Sequence, residues 1–288
     1  MSLFYHKSPK CQPLIFGFPK KLSSLDIFDN FVDNRIMTDL NIIHEDNHII
    51  VVIKPQNVPT QEDESGDPDM LTILKEHMGR PFCGLVHRLD RPTGGVMVFA
   101  KTSKAAARLC AQIQDGRFQK KYLAVVLGEP KQRSGELVDY LLKNSKTNVV
   151  EVVPSATKDA KRAELTYKLL NTKNQVSLVE ICLLTGRSHQ ARVQMAHLGH
   201  PIFGDAKYGG DKLAKGWNLA LWAYELKFEH PTTQDTLKFV VNPPETTPWD
   251  KFDFQRKPAK NPLSQGKTAL QNSPSHGEGV APRGAVTG

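Results

Sequence analysis

Short strand-like runs recur through the middle of this 288-residue chain, and they limit what it can fold into. They span His48 to Lys54, Gly95 to Lys101, Tyr122 to Leu127, Glu164 to Leu170, Val176 to Leu184, Leu219 to Leu226 and Leu237 to Val241. All are rich in branched or aromatic residues, and turn formers separate them. Three stretches carry helix signals: Asp67-Pro68 through Met78, a capping Ser103 through Gln114, and about Ser188 to Leu198 ahead of Gly199 and Pro201. Runs of strands with scattered helices predict an α+β fold, with a mixed, mainly antiparallel sheet and flanking helices rather than repeating βαβ units. Val96, Val98, Leu178 and Ile181 are assigned to the core. Cys110 and Cys182 join them, because free cysteine is commonly buried.

The two ends read differently. Residues 257–288 are rich in Pro, Gly, Ser and Asn and offer few large apolar groups to offset the entropy of ordering, so a disordered tail is expected. Within it, Gly266-Lys267-Thr268 is not a phosphate-binding loop, since Asn261 stands where the first glycine is required. Residues 1–36 show no period and are expected to be a flexible leader or an over-extended start, which leaves 37–256 as one domain. The ends carry charges of +2 and +3, so only +3 of the total +8 falls on that domain. A nucleic-acid partner must therefore be argued from where the charges sit. No apolar run approaches the roughly 18 residues of a membrane helix, and the first ten residues do not resemble a secretory signal. The expectation is a cytoplasmic protein without membrane contact. Cys11, Cys83, Cys110 and Cys182 form no CxxC pair, which argues against a disulfide framework or zinc ribbon.

The densest polar cluster lies between a short apolar run and the strand-like VMVFAK. It is the loop from Gly84 to Gly95, in which His87, Arg88, Asp90 and Arg91 crowd opposite charges beside Pro92 and two glycines. Taken alone, such a loop is a solvated turn with surface ion pairs. Its His87-Arg88-Leu89-Asp90-Arg91-Pro92-Thr93-Gly94-Gly95 nevertheless resembles the HRLDxxTSG motif of the RluA-type RNA pseudouridine synthases. Further segments match that family in order: Lys54-Pro55 after a strand, Lys121-Tyr122-Leu123, the run from Leu184 to Arg192, and His200-Pro201-Ile202-Phe203-Gly204-Asp205. Together they cover roughly residues 40–245. Two positions depart from the family: Gly94 stands for the usual Ser and Ala191 for the usual Ile.

The resemblance implies an isomerase that turns uridine in ribosomal or transfer RNA into pseudouridine without cofactor or metal. It assigns Asp90 as the carboxylate that attacks the ribose or assists a glycal intermediate. Arg187 becomes the cation that keeps Asp90 ionised and aimed, and Tyr122 the aromatic wall of the uracil pocket. His87 and Arg88 are candidates to brace the stack when the base is extruded. Lys54 either supports the loop or meets phosphate, and Thr93 and His189 complete the substrate-binding set. Basic residues at 101, 104, 108, 117, 120, 121, 158, 161 and 162 are expected to track the RNA backbone. Monomer is the default state. Two rivals are weighed: a metal hydrolase built on His189, His197, His200 and Asp205, whose spacing is not HExxH, and a non-catalytic RNA-binding module.

Overall fold

A parallel pair of strands lies inside an otherwise antiparallel sheet, and it fixes where the loop at 84–95 must emerge. The computed structural model describes residues 40–210 and 216–254; the expected leader, tail and Cys11 lie outside these residues. Eleven strands form the sheet: β1 (Ile42–Glu45), β2 (Ile49–Lys54), β3 (Gly84–Leu85), β4 (Gly94–Ala100), β5 (Gln119–Leu127), β6 (Ser134–Asn144), β7 (Val149–Val153), β8 (Lys161–Lys173), β9 (Val176–Leu183), β10 (Leu221–Glu229) and β11 (Thr236–Val240). Their order is β1-β2-β4-β10-β5-β9-β8-β6-β7, with β11 on β10 and β3 on β4. Among the described residues only β4 and β10 run parallel. The mixed, mainly antiparallel α+β architecture is thus the one the sequence predicts.

Three α-helices accompany the sheet among the described residues: α1 (Met70–Met78), α2 (Ser103–Gln114) and α3 (Gln190–His197). The caps fall one or two residues from the expected ones. Asp69 accepts from the amides of Leu71 and Thr72 at the start of α1, and Thr102 accepts from Ala105 at the start of α2. Helix α2 presents Ala105 and Leu109 to a core formed with β2, β4 and β10, where Val96, Val98 and Phe228 are buried. Cys110 falls off that face and is only half-buried, as is Cys182, while Cys83 is buried. The expectation for the first two is corrected on this point.

The third helix is unlike the others. It buries Gln190, Ala191, Arg192, Val193, Gln194 and Met195, so it has no solvent stripe over most of its length. Val193 packs with Leu141, Val150 and Ala163 from β6, β7 and β8. The structure therefore has apolar cores under α2 and under α3, and the central strands β10, β5 and β9 run between them. The loop before β4 and the loop before α3 open there.

Two glycines make the parallel pair possible. A Cβ on Gly95, whose φ is 121°, would overlap the backbone of Ala223 on β10. At Gly94 a Cβ would overlap the Trp222 ring and come within 2.9 Å of Gln56 Cγ. The Trp222 ring thus fills the space that a serine here would need, which accounts for the departure at that position.

Candidate active site

Asp90 reaches the surface through a loop fastened from beneath. The amide of Thr93 donates to the Asp90 carbonyl at 2.9 Å, closing a turn around Pro92. Lys54, at the end of β2, is fully buried and donates to the carbonyls of Pro55 (2.8 Å), Val58 (2.6 Å) and Arg91 (3.1 Å). Burial lowers its pKa to about 7 and the neighbouring Asp90 charge opposes that fall. All three carbonyls use a proton of the ammonium, which also favours the charged form. With no exposure left, Lys54 meets no phosphate; it belongs to the loop-supporting alternative. Arg91 ties the loop on its outer side, with Nε on the Asn57 carbonyl (3.1 Å), Nη1 on Ser65 (2.7 Å) and an ion pair to Asp67.

A pocket partly open to solvent lies above this loop. Around Asp90 stand Arg88, Thr93, Tyr122, Arg187, His189 and Arg192. The cation nearest Asp90 is Arg192, whose Nη1 lies 3.8 Å from Oδ2. Its other side is clamped by the fully buried Asp205, which accepts from Nε at 2.8 Å and from Nη2 at 2.7 Å. Asp205 also accepts from the amides of Lys207 and Tyr208, and the Tyr208 ring lies 5.1 Å below the Arg192 guanidinium carbon. A doubly bonded, stacked guanidinium is a fixed positive charge aimed at the pocket.

Arg187, expected to pair with Asp90, is placed differently. It is exposed, its Nε donates to the Arg162 carbonyl at 2.9 Å, and no carboxylate among the described residues lies within ion-pair distance. The reason is local: Gln190 Oε1 accepts from the Thr185 hydroxyl (2.8 Å) and the Arg187 amide (3.0 Å), so residue 187 stays in the loop before α3. Arg192, one turn into the helix, faces inward. In the sequence Arg192 stands within the Leu184–Arg192 motif with no role assigned, and Asp205 has one only in the rival metal site, although an arginine among Ala191, Val193 and Met195 signals a buried charge in need of a partner.

His87 does not reach the surface. Its ring packs against Phe118, centroids 5.6 Å apart, and its Nε2 accepts from the Val98 amide at 3.3 Å. Burial, and secondarily the Lys120 charge, lower its pKa to about 3. A buried neutral imidazole cannot brace an RNA stack, so of the two candidates only the exposed Arg88 is free to do so. Tyr122 is buried at the pocket wall, and desolvation, then the Asp90 charge, raise its pKa. The Thr93 hydroxyl is buried and bonds no protein group. His189 sits at φ 53° before α3, with Nδ1 2.7 Å from the Tyr208 hydroxyl; burial is the main cause that lowers its pKa.

The histidines of the metal rival go separate ways: His189 to Tyr208, His197 to Asp139 and His200 to the Leu127 carbonyl. Most of the expected basic track is likewise committed elsewhere. Lys101, Arg117, Lys121 and Arg162 pair with Glu45, Asp115, Glu180 and Glu164, and Arg108 donates to the Pro231 carbonyl. No helix among the described residues is long and apolar enough to cross a membrane.

Comparison with known proteins identifies a family for the chain. Residues 48–197 match the family model described as RNA pseudouridylate synthase. Ribosomal large subunit pseudouridine synthase D of Vibrio cholerae is 34% identical over 224 residues, which cover 72% of this chain and 68% of that protein. The tRNA pseudouridine synthase C of Vibrio parahaemolyticus is 32% identical, with 69% of this chain and 88% of that protein covered. The chain spans about two thirds of the ribosomal relatives' length, 68% of the first and 65% of a Vibrio vulnificus synthase C. Among solved structures, human RNA pseudouridylate synthase domain containing 4 superposes with a TM-score of 0.61 at 26% identity, over 75% of this chain and 94% of that one.

Proposed function

The chain belongs to the RNA pseudouridylate synthase family, and from that premise we propose that it isomerises uridines of ribosomal or transfer RNA to pseudouridine, with Asp90 as the attacking carboxylate. The carrying observation is the arrangement at Asp90: among the described residues it is the one carboxylate lining the pocket, and Arg192, itself clamped by Asp205, stands 3.8 Å from it. A fixed cation at that distance favours the ionised carboxylate that nucleophilic attack requires.

The reaction breaks the bond between C1′ and N1 of uridine, turns the uracil and closes a bond from C1′ to C5. The proton on C5 is lost and N1 ends protonated, so no oxidant or reductant takes part. Asp90 either bonds to C1′ and is displaced in the second half, or removes a ribose proton to give a glycal; both routes use the same carboxylate. Arg192 orients it. The Tyr122 side chain offers the uracil an aromatic wall, and the free Thr93 hydroxyl and His189 offer polar partners in the pocket. A stacked uridine must first be extruded, and Arg88, exposed beside the nucleophile, is placed to fill the gap.

Relatives named for ribosomal and for transfer RNA both match, so the substrate is decided by experiment. Pseudouridines mapped across total RNA from cells with and without the gene should differ at one or a few uridines. Identical maps would remove the proposed function.

A further inference from the structure

Among the described residues, Arg88, Arg187 and Lys120 are basic side chains near the pocket with neither a carboxylate nor a carbonyl on their free charged ends. Among the described residues Arg88 has no hydrogen-bond or ion-pair partner and is exposed, and Arg187 uses only Nε, leaving both Nη groups free. Lys120 is on β5, two residues before Tyr122. Successive side chains of a strand alternate, so Lys120 and Tyr122 share one face about 7 Å apart, whereas Lys121 turns to the other face and pairs with Glu180. The Lys120 Nζ stands 3.9 Å from where a Cβ on Gly186 would be, against the residue preceding Arg187. Its charge also acts on the His87 ring, next to Arg88. It therefore lies between the two loops that carry the other free cations. Burial lowers its pKa, and no acceptor compensates.

A half-desolvated ammonium without an acceptor is costly to keep unless a ligand supplies the anion. We propose that Lys120, with the free guanidinium ends of Arg187 and Arg88, forms a subsite for a backbone phosphodiester next to the extruded uridine. The proposal rests on the RNA-modifying reading above and deepens it. Its geometry follows the nucleotide: with uracil against Tyr122 and the anomeric carbon at Asp90, the flanking phosphate lies a sugar's reach away, toward the mouth of the pocket. Phosphate there would meet three cations that hold no carboxylate among the described residues, whereas Lys101, Arg117, Lys121 and Arg162 already do. Lys120 is a binding and positioning group in this scheme and touches no reacting atom.

The test is a titration of the full chain with a uridine-containing transcript that the wild type converts, at salt concentrations from about 50 to 200 mM. Each phosphate contact contributes about 0.7 to 0.9 to the slope of log affinity against log salt. Across that fourfold range, wild-type affinity should fall about threefold more than that of Lys120→Gln. The same variant should show a KM raised by a larger factor than the fall in kcat, and Lys120→Arg should recover most of the affinity. Lys173→Gln, an exposed lysine at the far end of β8, removes equal charge and should match the wild type. Lys120→Met, which suits the buried stem, serves if the Gln variant unfolds. A Lys120→Gln protein with wild-type affinity and slope overturns the subsite and leaves the enzyme assignment standing. A wild type that neither binds nor converts RNA overturns both.

Discussion

Replacing Asp205 with Asn changes one atom and strikes the element that aims the site. Asp205 is fully buried and accepts four bonds, two from Arg192 and two from backbone amides of Lys207 and Tyr208. The amide variant keeps one acceptor and turns an NH₂ toward a guanidinium that is only 4% exposed, leaving a buried cation without the counter-charge that bonds it. Breaking a buried pair in this way costs about 3–5 kcal/mol. At roughly 2–4 °C per kcal/mol for a domain of this size, the melting temperature should fall by about 10 °C. Arg192 would also lose its hold beside Asp90, so kcat should drop while KM changes less. Thermal melting with steady-state kinetics on the same preparations gives both numbers. A variant melting within about 2 °C of wild type, or turning over normally, would refute the claim that Asp205 fixes Arg192.

Two further outcomes follow from residues around the loop. His87 is held neutral with a pKa near 3 against 6.5 for an exposed imidazole, so the unfolded chain takes up a proton below 6.5 that the folded one refuses. The stability it contributes is complete above 6.5 and is lost as pH falls from 6.5 to 3, by about 1.4 kcal/mol per unit. His87→Gln keeps an acceptor for the Val98 amide without titrating, so its acid limb should be shallower in that window; parallel limbs in denaturant titrations would count against the buried neutral ring. Gly94→Ser restores the residue usual in the family yet should cost about 1–3 kcal/mol through overlap with Trp222. That loss should shrink in a Trp222→Leu background, and additivity of the two changes would show that they do not touch.

Much of the sheet was legible because its central strands are buried on both faces and read as apolar runs. Strand β6 escaped notice for the opposite reason. Along Ser134–Asn144 exposed and half-buried positions alternate, so residues such as Glu136, Asp139 and Lys143 interrupt any run, and only tertiary pairing with β8 makes the segment a strand. Sequence also placed the pocket's segments in order. Which arginine faces Asp90 was not written in spacing, since Arg187 and Arg192 both lie in one short motif. The answer depends on where α3 begins, and that is set by a glutamine side chain, Gln190, closing the preceding loop. His87 shows the same limit: it stands beside Arg88 in a charged loop, but the chain turns its ring under β4 and against Phe118.

The central claim is that Asp90 performs the chemistry, and Asp90→Asn tests it with least disturbance. The change keeps size and shape, removes the anion and leaves the basic groups that hold RNA in place. On a transcript or on total RNA from a deletion strain, the purified variant should form no pseudouridine while binding RNA as tightly as wild type or slightly better, with affinity still falling as salt rises. Measurable conversion by the purified Asp90→Asn protein would contradict the mechanism.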